Sequence, residues 1–172
     1  MKSGIFIKPS LFERLLRLLC PRVTTIVLVR HGERGSLSSD PDPPLTTTGQ
    51  QRAQALVEVA NRAFLSAIYV TEFQRTSQTA QPIATALGVM PAQFNISSNP
   101  AQHALNVATD ILTNHSGHAV LVVGHSDTVP LIIDALGVSS PPTIGSDEFN
   151  LLFIVIKARS GVTRLIRGRY GA

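Results

Sequence analysis

The chain has 172 residues and a net charge of +4, with 44% hydrophobic and 15% charged residues. These values exclude a disordered chain and allow one domain with a full hydrophobic core. The longest apolar runs have the length of a strand, below the ~20 residues that cross a bilayer, so stable membrane association is not expected. The basic residues are dispersed and aromatic residues make up only 5%, which disfavours nucleic acid and favours a small anionic partner.

Residues 1–22 are predicted to be an N-terminal extension of a single domain at 23–172. From Ser10 onward the apolar spacing predicts an amphipathic helix, with Ser10 and Glu13 as a capping box. Charged residues interrupt the apolar core that a secretory signal needs, so we expect a cytoplasmic protein. This helix either packs on the domain or docks on a membrane surface or a partner. Cys20 is the single cysteine, which excludes an intrachain disulfide.

Strands and helices alternate along the rest of the chain. The predicted strands lie at 24–29, 67–70, 93–96, 119–123, 150–156 and 163–167, and the predicted helices at 49–64, 76–87, 101–114 and 129–136. Phe64 and Leu105 are predicted on the inward faces of their helices. The last two strands form a hairpin, and Gly88 ends the second helix. This order predicts an α/β fold, a three-layer sandwich with a mostly parallel central sheet and helices on both faces.

Chemically versatile side chains follow three of the predicted strands. Arg30 and His31 end the first strand, Arg75 follows the second after a short turn, and His125 follows the strand at 119–123. Ligands of open α/β sheets bind outside the carboxyl ends of the strands, so these side chains are expected in one crevice.

These residue types suit a phosphate group. Guanidinium groups match phosphate oxygens with planar forks of donors. A neutral imidazole is a competent nucleophile, and a second, protonated histidine stabilises charge in the transition state. Predicted helix N-termini at Thr76 and Ser126 would direct backbone N–H groups at the same anion.

Four motifs occur in the order found in one family. They are Arg30-His31-Gly32-Glu33, Leu45-Thr46-x-x-Gly49-x-x-Arg52-Ala53, Arg75-Thr76-x-Gln78-Thr79-Ala80 and Gly124-His125-Ser126. From 24 to 153 the chain resembles the histidine phosphatase (phosphoglycerate mutase-like) superfamily. The resemblance implies a phosphoglycerate mutase-like fold, His31 as the nucleophile that becomes phosphorylated, and a phosphate pocket completed by Arg30, Arg75 and His125. Gly32 would allow close backbone approach, and both Gly32 and Ser126 would contribute to phosphate binding.

The proton donor for the leaving group is the part of the family pattern that this chain lacks. Many members carry a glutamate general acid after the Arg-Thr helix, but residues 88–99 hold no Asp or Glu. Asp127 is a substitute or a helix cap, with the cap favoured. Glu33 either acts as an acid or base beside His31 or is a surface carboxylate. The short substrate region resembles that of bacterial phosphohistidine phosphatases, whose substrate needs less acid assistance.

The sequence therefore predicts a metal-independent phosphatase that needs no cofactor and forms a phosphohistidine on His31. Its partner would be a phosphorylated small molecule or a phosphohistidine protein, selected by the loops at 35–44, 88–100 and 139–147. Two alternatives stay open. One is a phosphomutase of the same superfamily, and the other is a non-catalytic module that binds phosphate or a phosphoprotein. His103, His115 and His118 are interpreted as structural or exposed, because none has a convincing metal-ligand partner.

Overall fold

The computed structural model describes residues 23–36, 40–60 and 62–171, so the predicted extension at 1–22 lies outside the described residues. The elements are β1 (Val23–Arg30), α1 (Thr47–Ala60), β2 (Leu65–Val70), α2 (Gln74–Leu87), β3 (Ala92–Gln93), α3 (Pro100–Asn114), β4 (Ala119–Gly124), α4 (Thr128–Ala135), β5 (Leu151–Ala158) and β6 (Thr163–Arg169). Within this part of the chain, every helix is too short or too polar to cross a membrane.

The strands form one six-stranded sheet in the order β3-β2-β4-β1-β5-β6. β1, β2, β3 and β4 pair in parallel, whereas β5 runs antiparallel to both β1 and β6. β1 is central, and its apolar run at 26–29 is buried on both faces, as continuous rather than alternating hydrophobicity predicts. The prediction of a mostly parallel sheet with a closing hairpin is confirmed.

Helices cover both faces of the sheet. Ile26 and Leu28 point into a core formed with α3 and α4. Val27 and Val29 point into a second core, formed with α1 and α2 on the opposite face. Because neighbouring strand residues alternate between the faces, one strand supplies both cores. The three-layer prediction is therefore confirmed.

Two glycines let the loop after β1 cross the start of α1 at close range. A Cβ atom on Gly49 would lie 2.1 Å from the Glu33 carbonyl oxygen, and one on Gly32 would lie 2.8 Å from the Gly49 carbonyl oxygen. The Thr46 hydroxyl accepts a hydrogen bond from the Gly49 N–H at 3.2 Å and caps the helix. The close approach that Gly32 permits is thus to helix α1, and it fixes the segment that carries His31.

Two predicted inward residues are exposed instead. The first helix ends at Ala60, and Phe64 is 90% exposed with a φ of 48°, while the following Leu65 is buried in β2. On α3 the buried row contains Ala104 and Ala108, and Leu105 is 52% exposed. Both predictions are wrong. For Phe64 the helix was extended beyond its true end, and for Leu105 the buried face of the helix was assigned with the wrong phase.

Candidate active site

A cavity of about 450 Å³ opens where β1, β2 and β4 end. Its lining includes six residues singled out from the sequence: Arg30, His31, Arg75, His125, Ser126 and Asp127. The parallel pairing explains this convergence, because Arg30 lies beside Gly124 in the register of β1 and β4. Gly32 and Glu33, the other two candidates, do not line the cavity.

His31 lies at the floor of the cavity and is only 3% exposed. Its backbone N–H donates to the Gly124 carbonyl at 2.9 Å, which continues the β1–β4 ladder by one step. Its Nδ1 lies 2.7 Å from the Gly32 carbonyl oxygen. Because a carbonyl only accepts, Nδ1 carries the proton, and the neutral ring has its lone pair on Nε2. Burial, aided by the nearby arginines, lowers the pKa of His31 to about 4.

His125 lies beside His31, with the ring centroids 5.2 Å apart and the rings nearly edge to face. Its Nε2 shares a hydrogen bond with the Thr71 hydroxyl at 2.9 Å, so Nδ1 is the nitrogen available to a ligand. Burial, together with the charges of His31 and Arg75, lowers the pKa of His125 to about 2. A bound phosphate would oppose this effect, since an adjacent anion favours the protonated ring.

Arg30 is held by the loop that precedes β5. Its Nη1 donates to the carbonyls of Gly145 at 2.9 Å and Ser146 at 2.7 Å. Its guanidinium carbon lies 3.9 Å from the centroid of the Phe149 ring. Phe149 also contacts the His31 ring, at 6.0 Å between centroids. One aromatic side chain therefore positions both an arginine and the histidine next to it.

Arg75 is held in a similar way on the opposite side of the cavity. Its guanidinium carbon lies 4.1 Å from the centroid of Phe73, a ring that also contacts His125. Its Nη1 lies 3.2 Å from Oδ1 of Asp42. Burial lowers the pKa of both Arg30 and Arg75, yet both stay charged at neutral pH.

Both cavity arginines keep unused hydrogen-bonding capacity. Among the residues that the structure describes, the buried Nε atoms of Arg30 and Arg75 have no hydrogen-bond partner. Such atoms carry a desolvation penalty that a protein normally avoids. The two guanidinium groups are thus positioned but not saturated, which is the state expected of a site prepared for an anion.

Thr79 links the two halves of the site. Its hydroxyl accepts a hydrogen bond from the Gly32 N–H at 2.9 Å and donates one to the Arg75 carbonyl at 2.8 Å. The loop after β1 and the first turn of α2 are therefore fixed relative to each other. A preorganised pocket is what charge stabilisation in a transition state requires.

Both helix N-termini at the cavity differ from their predicted positions. α2 begins at Gln74, so Arg75 lies inside its first turn rather than in a turn before it. α4 begins at Thr128, with Asp127 at the N-cap and Ser126 one residue further out. Both helices still start beside the cavity, so the positive ends of their dipoles favour an anion there.

Glu33 forms an ion pair away from the cavity. Arg52 on α1 donates to its carboxylate from Nε at 3.0 Å and from Nη2 at 2.6 Å. Burial alone would raise the pKa of Glu33, but the hydrogen bonds from Arg52 lower it. A carboxylate held in this way is a poor proton donor, so the geometry favours a structural role for Glu33.

Asp127 is both a cap and part of the cavity lining. Its Oδ1 accepts a hydrogen bond from the Thr128 N–H at 2.8 Å, and its side chain is exposed at the cavity mouth. The position of Asp127 is therefore compatible with both roles considered from the sequence, the helix cap and the substitute proton donor.

Sequence reasoning missed several residues of the site. Arg34 and Glu72 line the cavity, Thr71 binds His125, and the aromatic rings of Phe73 and Phe149 flank the arginines. Thr71 and Glu72 had a detectable signal, since they directly follow a strand that ends at the site. Phe149 lies in a loop without periodicity and had none.

No group of three or more potential metal ligands occurs within the part of the chain that the structure describes. His103 is buried, with Nδ1 3.2 Å from the Asn95 carbonyl, and His115 shares a hydrogen bond with Ser66. These two histidines therefore take part in structural contacts.

The family model of the histidine phosphatase superfamily (branch 1) matches residues 26–96. This stretch contains β1, α1, β2 and α2, and with them Arg30, His31 and Arg75. Over this stretch, which is less than half of the chain, the sequence matches the histidine phosphatase superfamily.

A curated relative and two solved structures are also similar to this chain. Probable phosphoglycerate mutase GpmB from Enterobacter sp. (strain 638) is 37% identical over 68 residues. The match covers 37% of this chain and about a third, 32%, of that mutase.

The solved structures show that the likeness extends over the whole fold. A mycobacterial glucosyl-3-phosphoglycerate phosphatase superposes with a TM-score of 0.66 at 13% identity, over 88% of this chain and 100% of that one. The protein histidine phosphatase SixA in complex with tungstate superposes with a TM-score of 0.63 at 19% identity, over 84% of this chain and 96% of SixA. The chain thus shares its fold with these two phosphatases beyond the stretch matched by the family model.

Proposed function

We propose that this protein is a phosphatase that hydrolyses a phosphomonoester or phosphoramidate through a phosphohistidine on His31. The observation that carries the proposal is the tautomer of His31. With Nδ1 hydrogen-bonded to the Gly32 carbonyl, the lone pair of Nε2 is the nucleophile. With a pKa of about 4, the ring is neutral and ready to attack at physiological pH.

The first chemical step transfers the phosphoryl group to the enzyme. Nε2 of His31 attacks phosphorus in line, and the bond from phosphorus to the leaving group breaks. Arg30 and Arg75 bind the phosphoryl oxygens, and His125, protonated on both nitrogens next to the anion, donates from Nδ1. No step of this scheme calls for a metal ion.

The second step returns His31 to its starting state. A water molecule attacks the phosphorus of phospho-His31, the P–N bond breaks, and inorganic phosphate leaves. Glu72 and Asp127 at the cavity mouth are both exposed, so water has access to the phosphoenzyme. This access favours hydrolysis over the phosphomutase alternative, in which the phosphoenzyme must persist until it phosphorylates a second position of the substrate.

The GpmB likeness gives the mutase alternative its own support. The two activities differ in the fate of the phosphoryl group. With excess phosphoglycerate, a mutase yields the isomeric phosphoglycerate, whereas a phosphatase yields inorganic phosphate. The non-catalytic module is disfavoured because the cavity contains both histidines and both arginines that catalysis needs.

The proposal is tested with 4-nitrophenyl phosphate in the presence of EDTA. We expect the wild type to release phosphate, to be insensitive to the chelator, and to yield an acid-labile phosphoenzyme when quenched in alkali. His31→Ala should lose both turnover and the phosphoenzyme. Absence of turnover by the wild type on this ester and on phosphohistidine would contradict the proposal. A panel of phosphorylated metabolites and a phosphohistidine protein then identifies the substrate class.

A further inference from the structure

The proposed reaction leaves open which group protonates the departing oxygen. In-line displacement puts the leaving group opposite the nucleophile. His31 is buried at the floor of the cavity, so the leaving oxygen points toward the mouth. A proton donor must therefore be sought among side chains at the mouth.

The lining offers two carboxyl groups at that position, Glu72 and Asp127. The remaining ionisable side chains of the lining are arginines, which do not release protons, and the two histidines already assigned to attack and to phosphate binding. The choice is therefore between these two residues.

Asp127 is engaged at the start of α4. Its Oδ1 accepts the Thr128 N–H at 2.8 Å, and a helix N-terminus is stabilised by a negative charge on its cap. This contact gives Asp127 a structural role as a helix cap that does not depend on proton transfer.

Glu72 is held in a different way. Its Oε2 accepts a hydrogen bond from the Ile96 N–H at 3.0 Å, which orients the carboxyl group and leaves Oε1 for a substrate. Ile96 and Ser97 line the cavity too. The segment at 88–99 has no acid of its own, and this hydrogen bond brings the Glu72 carboxyl group to it from the end of β2.

Glu72 is also close to the phosphate-binding groups. It precedes Arg75 by three residues, and its charge influences both Arg75 and His103. A substrate phosphate bound at Arg75 would therefore lie near the Glu72 carboxyl group.

We infer that Glu72 is the general acid of this enzyme, an assignment that rests on the proposed phosphatase function. As the bond from phosphorus to the leaving oxygen breaks, the Glu72 proton moves to that oxygen. The products of this step are an alcohol, the Glu72 carboxylate and phospho-His31. When water attacks the phosphohistidine, its proton passes to the Glu72 carboxylate, and the acid is restored with release of inorganic phosphate.

The test is a leaving-group series with Glu72→Gln, measured as kcat/KM. This parameter reports the steps up to phosphoryl transfer and is unaffected by later hydrolysis of the phosphoenzyme. Gln retains an acceptor for the Ile96 N–H but has no proton to donate. General acid catalysis contributes about 10²- to 10⁴-fold, so we expect a loss of at least about 10²-fold with alkyl phosphates. The loss with 4-nitrophenyl phosphate should be at least about tenfold smaller, and Glu72→Asp should restore part of the alkyl phosphate activity.

Two further variants make the assignment falsifiable. Glu58→Gln on the exposed side of α1 is the matched control and should leave the whole series unchanged. Asp127→Asn tests the rival donor. A uniform loss across the series with Glu72→Gln, or a leaving-group-dependent loss only with Asp127→Asn, would overturn the inference while leaving the phosphatase function intact. Absence of 4-nitrophenyl phosphate turnover by the wild type would instead overturn the proposed function, and this inference with it.

Discussion

Three arginines are buried to the same extent around the end of β1, and they are used in two ways. Arg30, Arg75 and Arg52 are 6%, 9% and 8% exposed. Arg52 binds both oxygens of Glu33 and donates from Nη1 to the Tyr170 carbonyl at 3.1 Å. In the described part of the chain, Arg30 and Arg75 each keep a buried Nε without a partner.

The pKa values of the two kinds of arginine are shifted in opposite directions. The hydrogen bonds between Arg52 and Glu33 raise the pKa of Arg52, whereas burial lowers the pKa of Arg30 and of Arg75. Burial alone therefore does not distinguish an arginine in a structural ion pair from an arginine in a binding site. The two are distinguished by whether their hydrogen-bond donors have partners. The four predictions below test this contrast.

The largest effect is expected when a cavity arginine is replaced. Arg30→Met or Arg75→Met should lower kcat/KM with 4-nitrophenyl phosphate by about 10²- to 10³-fold, the usual cost of one preorganised donor. The free energy of unfolding should change by less than about 1 kcal/mol, because an incompletely satisfied buried charge contributes little stability. Urea denaturation and steady-state kinetics measure the two quantities. A loss of several kcal/mol in stability with little change in turnover would remove the contrast.

Arg52→Met should show the reverse pattern. Its removal leaves the Glu33 carboxylate and the Tyr170 carbonyl without their donor, which should cost about 3 kcal/mol of unfolding free energy. Below the unfolding transition, kcat/KM should stay within about threefold of the wild type, since Arg52 does not line the cavity. Comparison with Arg75→Met under the same conditions is the control. A 10²-fold loss of turnover in a folded Arg52→Met protein would assign Arg52 to catalysis.

The histidines should make stability depend on pH. The pKa values of about 4 for His31 and about 2 for His125 lie below the unfolded value of about 6.5. The unfolded chain therefore binds more protons below pH 6.5, and stability falls as the pH decreases from there toward 4. Between pH 7 and pH 5 we expect each of the two histidines to contribute a loss on the order of 2 kcal/mol.

Urea denaturation at pH 7, 6 and 5 measures this loss. His125→Gln should reduce it, because one of the two buried bases is then absent. An unfolding free energy that stays constant over this range would show that the two rings have the same pKa in the folded protein as in the unfolded chain.

The smallest effect is expected for Glu33→Gln. The amide oxygen still accepts from Arg52, so the loss of charge should cost about 1 kcal/mol of unfolding free energy. The ratio of kcat/KM values for alkyl and 4-nitrophenyl phosphates should stay at the wild-type value. A change in this ratio as large as that expected for Glu72→Gln would make Glu33 the acid. Thermal unfolding and the same leaving-group series provide the measurements.

The strands that carry the site could be predicted from the sequence because they are short, apolar and buried on both faces. Arg30, His31 and His125 end such runs, and parallel pairing brings strand ends together without knowledge of the loops. The groups that position them were beyond sequence reasoning. The carbonyls of Gly145 and Ser146 have no side-chain signature, and Phe149 lies in an irregular loop.

Helix faces were predicted less well than strands. Exposed Leu105 fits an apolar stripe whose phase differs from the true one by a single residue, and tertiary packing decides between the two phases. Phe64 was assigned to a helix that in fact ends at Ala60. The role of Glu33 also depended on the fold. Its partner Arg52 is 19 residues further along, and only the crossing of the β1 loop over α1 brings the two together.

The hydrogen bonds from Arg30 to the carbonyls of Gly145 and Ser146 also affect when the active site forms during folding. The two hydrogen bonds join positions 115 and 116 residues apart, and β1 itself pairs with β5, near the end of the chain. Contacts this distant form late, because closing a long loop costs entropy before any contact is gained. During synthesis, Arg30 leaves the ribosome 115 residues before Gly145, the first of the two residues whose carbonyls hold it in place. The rate at which turnover recovers on refolding should therefore follow the late pairing of β1 with β5, whereas the recovery of helical structure reports earlier steps.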